Sequence, residues 1–215
     1  MLYRLLWWFG VISAYPVQLL FYKPKKYYAE NADKHIKGGG LIISNHFSFY
    51  DYPLVMFAVL PRKLGVVCSE IPYKSKLLTI GMKFFDGIQA NRITKDLSFI
   101  DKSAEFIKKG NIIQIFPEGR NTDDGTIKPF KHSYILIAHR SNSPIIPVVV
   151  DGNYGFKKRA RMIIGEKIFV SDIIDSKLHT PTRDDMKLVN DYVYNRVLEL
   201  RQQLEDIKER EKSVK

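Results

Sequence analysis

Short apolar runs without polar alternation recur along this chain, with helical patterns between them. Leu41–Ser44, Gly65–Ser69, Ile112–Phe116 and Ile145–Val150 are four such runs. A strand covered on one face alternates apolar and polar residues, whereas a strand covered on both faces reads as continuously apolar. The runs therefore predict an α/β fold with a mainly parallel central sheet flanked by helices. Leu97, Ile100, Ala104 and Ile107 recur at i, i+3, i+7 and i+10, one face of a helix closed by Lys108, Lys109 and Gly110. Gly38-Gly39-Gly40 opens the first strand, and Arg161–Val170 predicts a hairpin or a pair of short strands. Thr182 followed by Asp185 is a capping-box-like start to a long final helix. Val189, Val193, Val197, Leu200, Leu204 and Ile207 form its apolar stripe, and Lys208 to Lys215 are expected to fray.

The first residues follow another pattern. Leu5 to Tyr22 carries no charge and is flanked by Arg4 and by Lys23, Lys25 and Lys26. As one helix it would span about 27 Å at ~1.5 Å per residue, close to the thickness of a bilayer core. Pro16 would break or kink that helix. Trp7, Trp8, Tyr15 and Tyr22 suit the headgroup boundary, where aromatic rings collect. The segment thus predicts two short helices lying in or dipping into one leaflet, with the basic flanks on anionic headgroups. The bland alternative is a buried N-terminal core helix. A cleaved signal peptide fits poorly, because no small-x-small site follows the apolar run. Residues 1–37 are expected to be a membrane-associated helical segment and linker. Residues 38–215 are expected to form one α/β domain, without internal repeats.

At 215 residues the chain can bury one sizeable core. Its net charge of +11 predicts attraction to nucleic acid, an anionic bilayer or a phosphorylated small molecule. Cys68, the single cysteine, excludes an intrachain disulfide and a Cys-based zinc site, which fits a reducing compartment.

Candidate chemistry gathers at two strand ends. Asn45-His46-Phe47-Ser48-Phe49-Tyr50-Asp51 follows the first run, and Phe116-Pro117-Glu118-Gly119-Arg120 follows the third. In open α/β sheets, ligands bind where strand carboxyl ends meet their loops. His46 and Asp51 would not share a face of a continuous helix, since five residues turn about 140° beyond a full circle at ~100° per residue. They meet only if His46 sits in the strand-to-helix turn and Asp51 in the first helical turn. Asp51 could then hold one imidazole nitrogen and leave the other to take a proton from a hydroxyl. Taken alone, the pair reads more readily as a helix cap. No second His stands at i+4, so the spacing is not a zinc signature. Pro117 and Gly119 make a rigid, open turn, and Arg120 offers a planar fork that matches a phosphate. Glu118 could accept bonds from a glycerol hydroxyl or fix Arg120. The bland reading of that turn is a solvated surface ion pair. Arg92 is a second candidate anion clamp, or simply a surface arginine.

Four ordered segments carry a resemblance: His46-x-x-x-x-Asp51, the Arg92 segment, Phe116-Pro117-Glu118-Gly119, and Pro144-Ile145-Ile146-Pro147-Val148. In that order, from about Leu41 to Val150, they resemble the motifs of glycerolipid acyltransferases, most nearly the 1-acylglycerol-3-phosphate (lysophosphatidic acid) type. The resemblance implies transfer of a fatty acyl group from a thioester, acyl-CoA or acyl-carrier protein, to a lysophospholipid hydroxyl in phospholipid biosynthesis. No metal or bound cofactor is implied. His46 and Asp51 take the catalytic places, and Arg92, Glu118 and Gly119 those that place the phosphoglycerol, with Arg120 a further substrate-binding candidate on the strength of its own planar fork. Asn45, Pro117 and Pro147 support the motifs. The protein is expected at the membrane, with its site facing the cytoplasm. Two departures bear on the acceptor. The family usually reads Glu-Gly-Thr-Arg, whereas Arg120 here directly follows Gly119, and the Gly preceding Arg92 is displaced. The resemblance therefore leaves glycerol 3-phosphate or another lysophospholipid open as acceptor. A nucleic-acid-binding protein, suggested by the charge and by Lys157-Lys158-Arg159 with Arg161, leaves the apolar N-terminus unexplained and lacks an aromatic-plus-basic platform. A non-catalytic membrane module leaves His46 and Asp51 unexplained.

Overall fold

The structure is a computed structural model that describes residues 13–91, 96–122, 124–175 and 180–213. Seven strands form one sheet: β1 (Lys25–Tyr28), β2 (Gly40–Ser44), β3 (Leu64–Cys68), β4 (Gly87–Gln89), β5 (Ile112–Ile115), β6 (Ile145–Val150) and β7 (Arg161–Ile164). Their order across the sheet is β1-β7-β6-β2-β5-β3-β4. Every pairing is parallel except β6 with β7. The predicted α/β architecture is therefore observed.

Alternate residues of the apolar runs serve two cores. Leu41 and Ile43 of β2 pack with α4 (Ser98–Lys108), α5 (Ser133–Ser141) and α6 (Arg183–Ser213). Ile42 of the same strand faces α2 (Asp51–Val59) on the other side, where Met82 and Phe84 of α3 (Lys76–Phe84) pack against the same core. Both side-chain directions are dry, which is why the sequence shows no polar alternation there. On α4, Ile100, Ala104 and Ile107 are buried as the spacing predicts, and Gly110 beyond it adopts φ +84°. Leu97 precedes the helix and is exposed.

Several expectations are corrected. β1 lies within residues 1–37 and pairs in parallel with β7, Lys25 opposite Arg161. The expected boundary at residue 38 thus cuts through the sheet, and Gly40 opens the second strand rather than the first. Lysines on a four-residue strand hid it, yet charge is what a sheet edge needs to stay unpaired. Of the hairpin or pair of short strands expected over Arg161–Val170, the hairpin is absent, and one strand followed by a bridging residue is present. β7 returns antiparallel to β6, and Ile168 makes a single bridge to Ile145. The final helix starts with the predicted box, Asp185 N–H donating to Thr182 Oγ1 at 3.2 Å and Thr182 N–H to Asp185 Oδ2 at 2.9 Å. It does not fray at Lys208 but runs through Ser213, because Glu211 is pinned by Lys25, Tyr27 and Arg161. Lys25 first, then Tyr27, holds the Glu211 carboxyl down at about 2.

Residues 13–22 form helix α1, which includes Pro16. The rest of the expected membrane segment, with Trp7 and Trp8, lies outside the described residues. The end of α1 is a core element, with Tyr22 buried against Phe57 and Tyr154, while Val17 and Leu20 are exposed. Among the described residues no helix is long and apolar enough to cross a membrane.

Candidate active site

Loops leaving the carboxyl ends of β5, β2 and β6, three neighbouring strands, converge on one point. That is where this architecture places ligands. The β2 loop supplies His46, in the turn between Ser44 and the start of α2, and Asp51 is the first residue of that helix. This is the one arrangement in which the pair can meet. His46 Nδ1 lies 2.8 Å from Asp51 Oδ2. The same Oδ2 accepts the main-chain N–H groups of Phe47 at 2.7 Å and Ser48 at 2.8 Å. Tyr154, from the loop after β6, donates its hydroxyl to Asp51 Oδ1. Asp51 is wholly buried, so these donors replace the water it has lost. Burial first, then the Asp51 charge, pushes the Tyr154 hydroxyl far above its ordinary range, so it stays a donor.

The carboxylate therefore does more than cap a helix. It folds the loop back on itself and fixes the imidazole by its Nδ1 edge. Phe116 stacks on the ring, centroids 3.8 Å apart and planes 19° from parallel. Thr122 N–H donates to His46 O at 2.9 Å. No described residue hydrogen-bonds Nε2, and the side chain is 18% exposed. A histidine held by one nitrogen and open at the other is arranged for proton transfer.

Glu118 departs from expectation. It neither fixes Arg120 nor presents an oxygen outward. Oε1 accepts His46 N–H at 3.0 Å, and Oε2 accepts Lys128 N–H at 2.8 Å. It is 4% exposed, and desolvation raises its pKa despite both bonds. Glu118 thus ties the β5 turn to the histidine loop. Within that turn Gly119 N–H donates to Phe116 O at 3.0 Å, and Gly119 takes φ +69°, a conformation that favours glycine. A Cβ there would stand 2.7 Å from Lys131 Nζ, so the glycine also makes room for that lysine. Pro117 is buried and accepts Lys131 N–H at 2.9 Å.

Arg120 is exposed and makes no hydrogen bond or ion pair with a described residue. Lys128, by contrast, is paired to Asp124 at 2.7 Å. Arg92 lies outside the described residues. Asn45 clamps β6, its Nδ2 donating to Val150 O at 3.0 Å and its Oδ1 accepting Val150 N–H at 2.9 Å. Pro147 lies inside β6 opposite Gly165, one step past the last β6–β7 pair, and accepts Gly165 N–H at 2.8 Å. A proline is tolerated there because the ladder is interrupted by a bulge before it resumes at Ile145 and Ile168. Burial pushes the Cys68 thiol up to about 11, which leaves it protonated at neutral pH and no rival nucleophile. Among the described residues, no group of three His, Cys, Asp or Glu side chains could hold a metal ion.

Tyr154 and Thr122 complete the site without a motif to announce them, and Phe116, the first residue of the third motif, adds a ring stack that the motif does not announce. Tyr154 lies 103 positions from its partner Asp51, and only the adjacency of β6 to β2 brings them together.

Comparison with known proteins agrees with the geometry. The chain is 23% identical over 174 residues to the 1-acyl-sn-glycerol-3-phosphate acyltransferase of Bacillus subtilis, covering 79% of this chain and 84% of that one. It is 28% identical over 125 residues to the 1-acyl-sn-glycerol-3-phosphate acyltransferase of Limnanthes alba, and spans 44% of that protein's length. The crystal structure of the 1-acyl-sn-glycerophosphate acyltransferase PlsC from Thermotoga maritima has the same fold. Its TM-score is 0.62 at 17% identity, over 86% of this chain and 73% of that one. The acyltransferase family pattern matches residues 23–151, which take in β1 to β6 and the loops carrying His46 and Glu118 but stop short of Tyr154. With more than half its length in that match, and His46 and Asp51 inside it, the chain belongs to the acyltransferase family.

Proposed function

We propose that the protein transfers a fatty acyl group from an acyl thioester to the free hydroxyl of lysophosphatidic acid, giving phosphatidic acid. The observation that carries this reading is the His46 imidazole, held at Nδ1 by Asp51 at 2.8 Å with Nε2 unengaged. An alcohol is a poor nucleophile until its proton is removed as it attacks. Nε2 takes that proton while the hydroxyl oxygen bonds to the thioester carbonyl carbon. The C–S bond then breaks, and the proton passes from the imidazolium to the departing thiolate. Asp51 keeps the imidazole in the useful tautomer and stabilises its charged form. Glu118 holds the His46 loop in place and does not touch the acceptor.

The acceptor phosphate falls to cations around the β5 turn. Arg120 is exposed and unengaged, and Lys131 lies across Gly119. The donor is acyl-CoA or acyl-carrier protein, and the reaction takes place at the cytoplasmic face of a membrane. The displaced Arg120 favours a second reading with the same chemistry on glycerol 3-phosphate or another lysophospholipid. Product analysis after mixing purified protein with labelled acyl thioester and a panel of lysolipids tests both. Labelled phosphatidic acid as the main product is expected. Absence of any acylated glycerolipid would overturn the proposal.

A further inference from the structure

An open groove of about 920 Å³ lies between the β1–β7 edge and the end of α6, and the acyl-transfer chemistry makes no use of it. Eight of its lining residues are Lys or Arg, against one carboxylate, Glu211. That carboxylate is already committed to Lys25, Tyr27 and Arg161. Among the cations left over, Lys23, Lys157, Lys158, Arg159 and Lys212 are exposed and form no ion pair with a described residue. So many unopposed cations in one depression repel one another, and an anionic ligand relieves that.

What borders the groove selects the ligand's source. Phe156 is 59% exposed and immediately precedes Lys157-Lys158-Arg159. It packs edge-on against Phe21 of α1, centroids 5.3 Å apart, beside the exposed Val17 and Leu20. Phe21 in turn contacts Tyr50, itself half exposed next to Phe49. An apolar rim joined to a basic hollow matches the layering of a bilayer surface, with hydrocarbon beside phosphate. The loop is also tied to the chemistry, since Tyr154, two residues before Phe156, donates to Asp51.

We infer that this groove binds the phosphates of anionic phospholipids in the bilayer, with Phe156, Val17 and Leu20 inserted beside them. The loop over residues 152–160 then seats the membrane surface against the mouth of the active site. This rests on the reading that the acceptor is a membrane lipid, but vesicle binding requires no turnover, so either can fail without the other.

The test uses the full chain carrying Cys68→Ala and Phe156→Cys, labelled at the new thiol with an environment-sensitive fluorophore. With vesicles of phosphatidylcholine and phosphatidylglycerol, the emission should shift to the blue and be quenched by shallow nitroxide lipids. A second protein, Lys157→Gln with Lys158→Gln and Arg159→Gln, should bind these vesicles on the order of ten- to a hundred-fold more weakly, a few-fold for each cation. Its binding to pure phosphatidylcholine should be unchanged. A fluorophore that stays in water on vesicle-bound protein would overturn the inference. So would a triple variant with unchanged vesicle binding, whether its KM for soluble acyl-CoA rises, its turnover with acyl-carrier protein alone falls, or neither changes.

Discussion

The histidine corner and the arginine turn sit on adjacent strands, yet they are built on opposite terms. Asp51 is wholly buried, and its oxygens accept from two main-chain N–H groups, from Tyr154 and on the edge of His46. Arg120 is exposed and engages no described residue. Glu118 stands between them, buried and fully bonded, and belongs with the histidine rather than with the arginine. A proton-transfer site must hold its geometry before substrate arrives, whereas a side chain that meets a mobile phosphate can wait in solvent. Rate should therefore depend on the first corner and acceptor affinity on the second.

Removing the base should produce the largest effect. His46→Ala should lower kcat by about 10²–10⁴-fold, the usual cost of losing a general base, with little change in KM. Asp51→Asn should cost somewhat less, since the imidazole survives but loses its fixed tautomer. Wild-type turnover in folded His46→Ala would break the comparison outright.

Glu118→Gln comes next, because a neutral amide cannot accept both N–H groups with the same strength. Urea unfolding should show a loss of about 1–3 kcal/mol, the range for a buried hydrogen-bonding group left short of a partner. Its pH dependence has a definite sign. Burial raises the Glu118 pKa, so the folded state holds this proton more tightly than the unfolded chain does. The contribution to stability is then present at acid pH and declines as pH rises through the folded pKa. The gap between wild type and Glu118→Gln should widen as pH falls from neutral into the carboxylate range. A gap that narrows there would contradict the assigned environment.

Tyr154→Phe removes one donor from Asp51 and leaves the others, so kcat should fall by about ten-fold or less. A Tyr154→Phe enzyme as slow as His46→Ala would mean the hydroxyl takes part in the chemistry itself. Arg120→Ala should have the smallest effect on rate. An exposed pair is screened, so the KM for lysophosphatidic acid should rise only about ten-fold, with kcat within a few-fold. An unchanged KM would remove Arg120 from the acceptor site and turn attention to Lys131.

The same contrast decides what could be read from sequence. The central strands were legible because both faces are dry, so Leu41–Ser44 and Ile145–Val150 appear as bare apolar runs. The edge strand β1 was not, since two of its four residues are lysine. His46 and Asp51 were legible as a pair because only four residues separate them. The role of Glu118 was not, because its partners are main-chain N–H groups, which any residue carries. Tyr154 was hidden by chain distance, and the last turn of α6 looked free because nothing local to it announces Lys25 and Arg161. Local pattern reveals what neighbours in sequence do together. It is silent on contacts that the sheet order creates.

The claim that Asp51 leaves Nε2 of His46 as the base can be tested without turnover. Of the five histidines in the chain, His46 can be assigned in an imidazole ¹⁵N spectrum by its absence from the His46→Ala protein. At a pH where the ring is neutral, the expected result is a protonated Nδ1, donating to Asp51, and an unprotonated Nε2. A neutral ring that carries its proton on Nε2 would contradict the mechanism, because that nitrogen could not then accept the proton of the attacking hydroxyl.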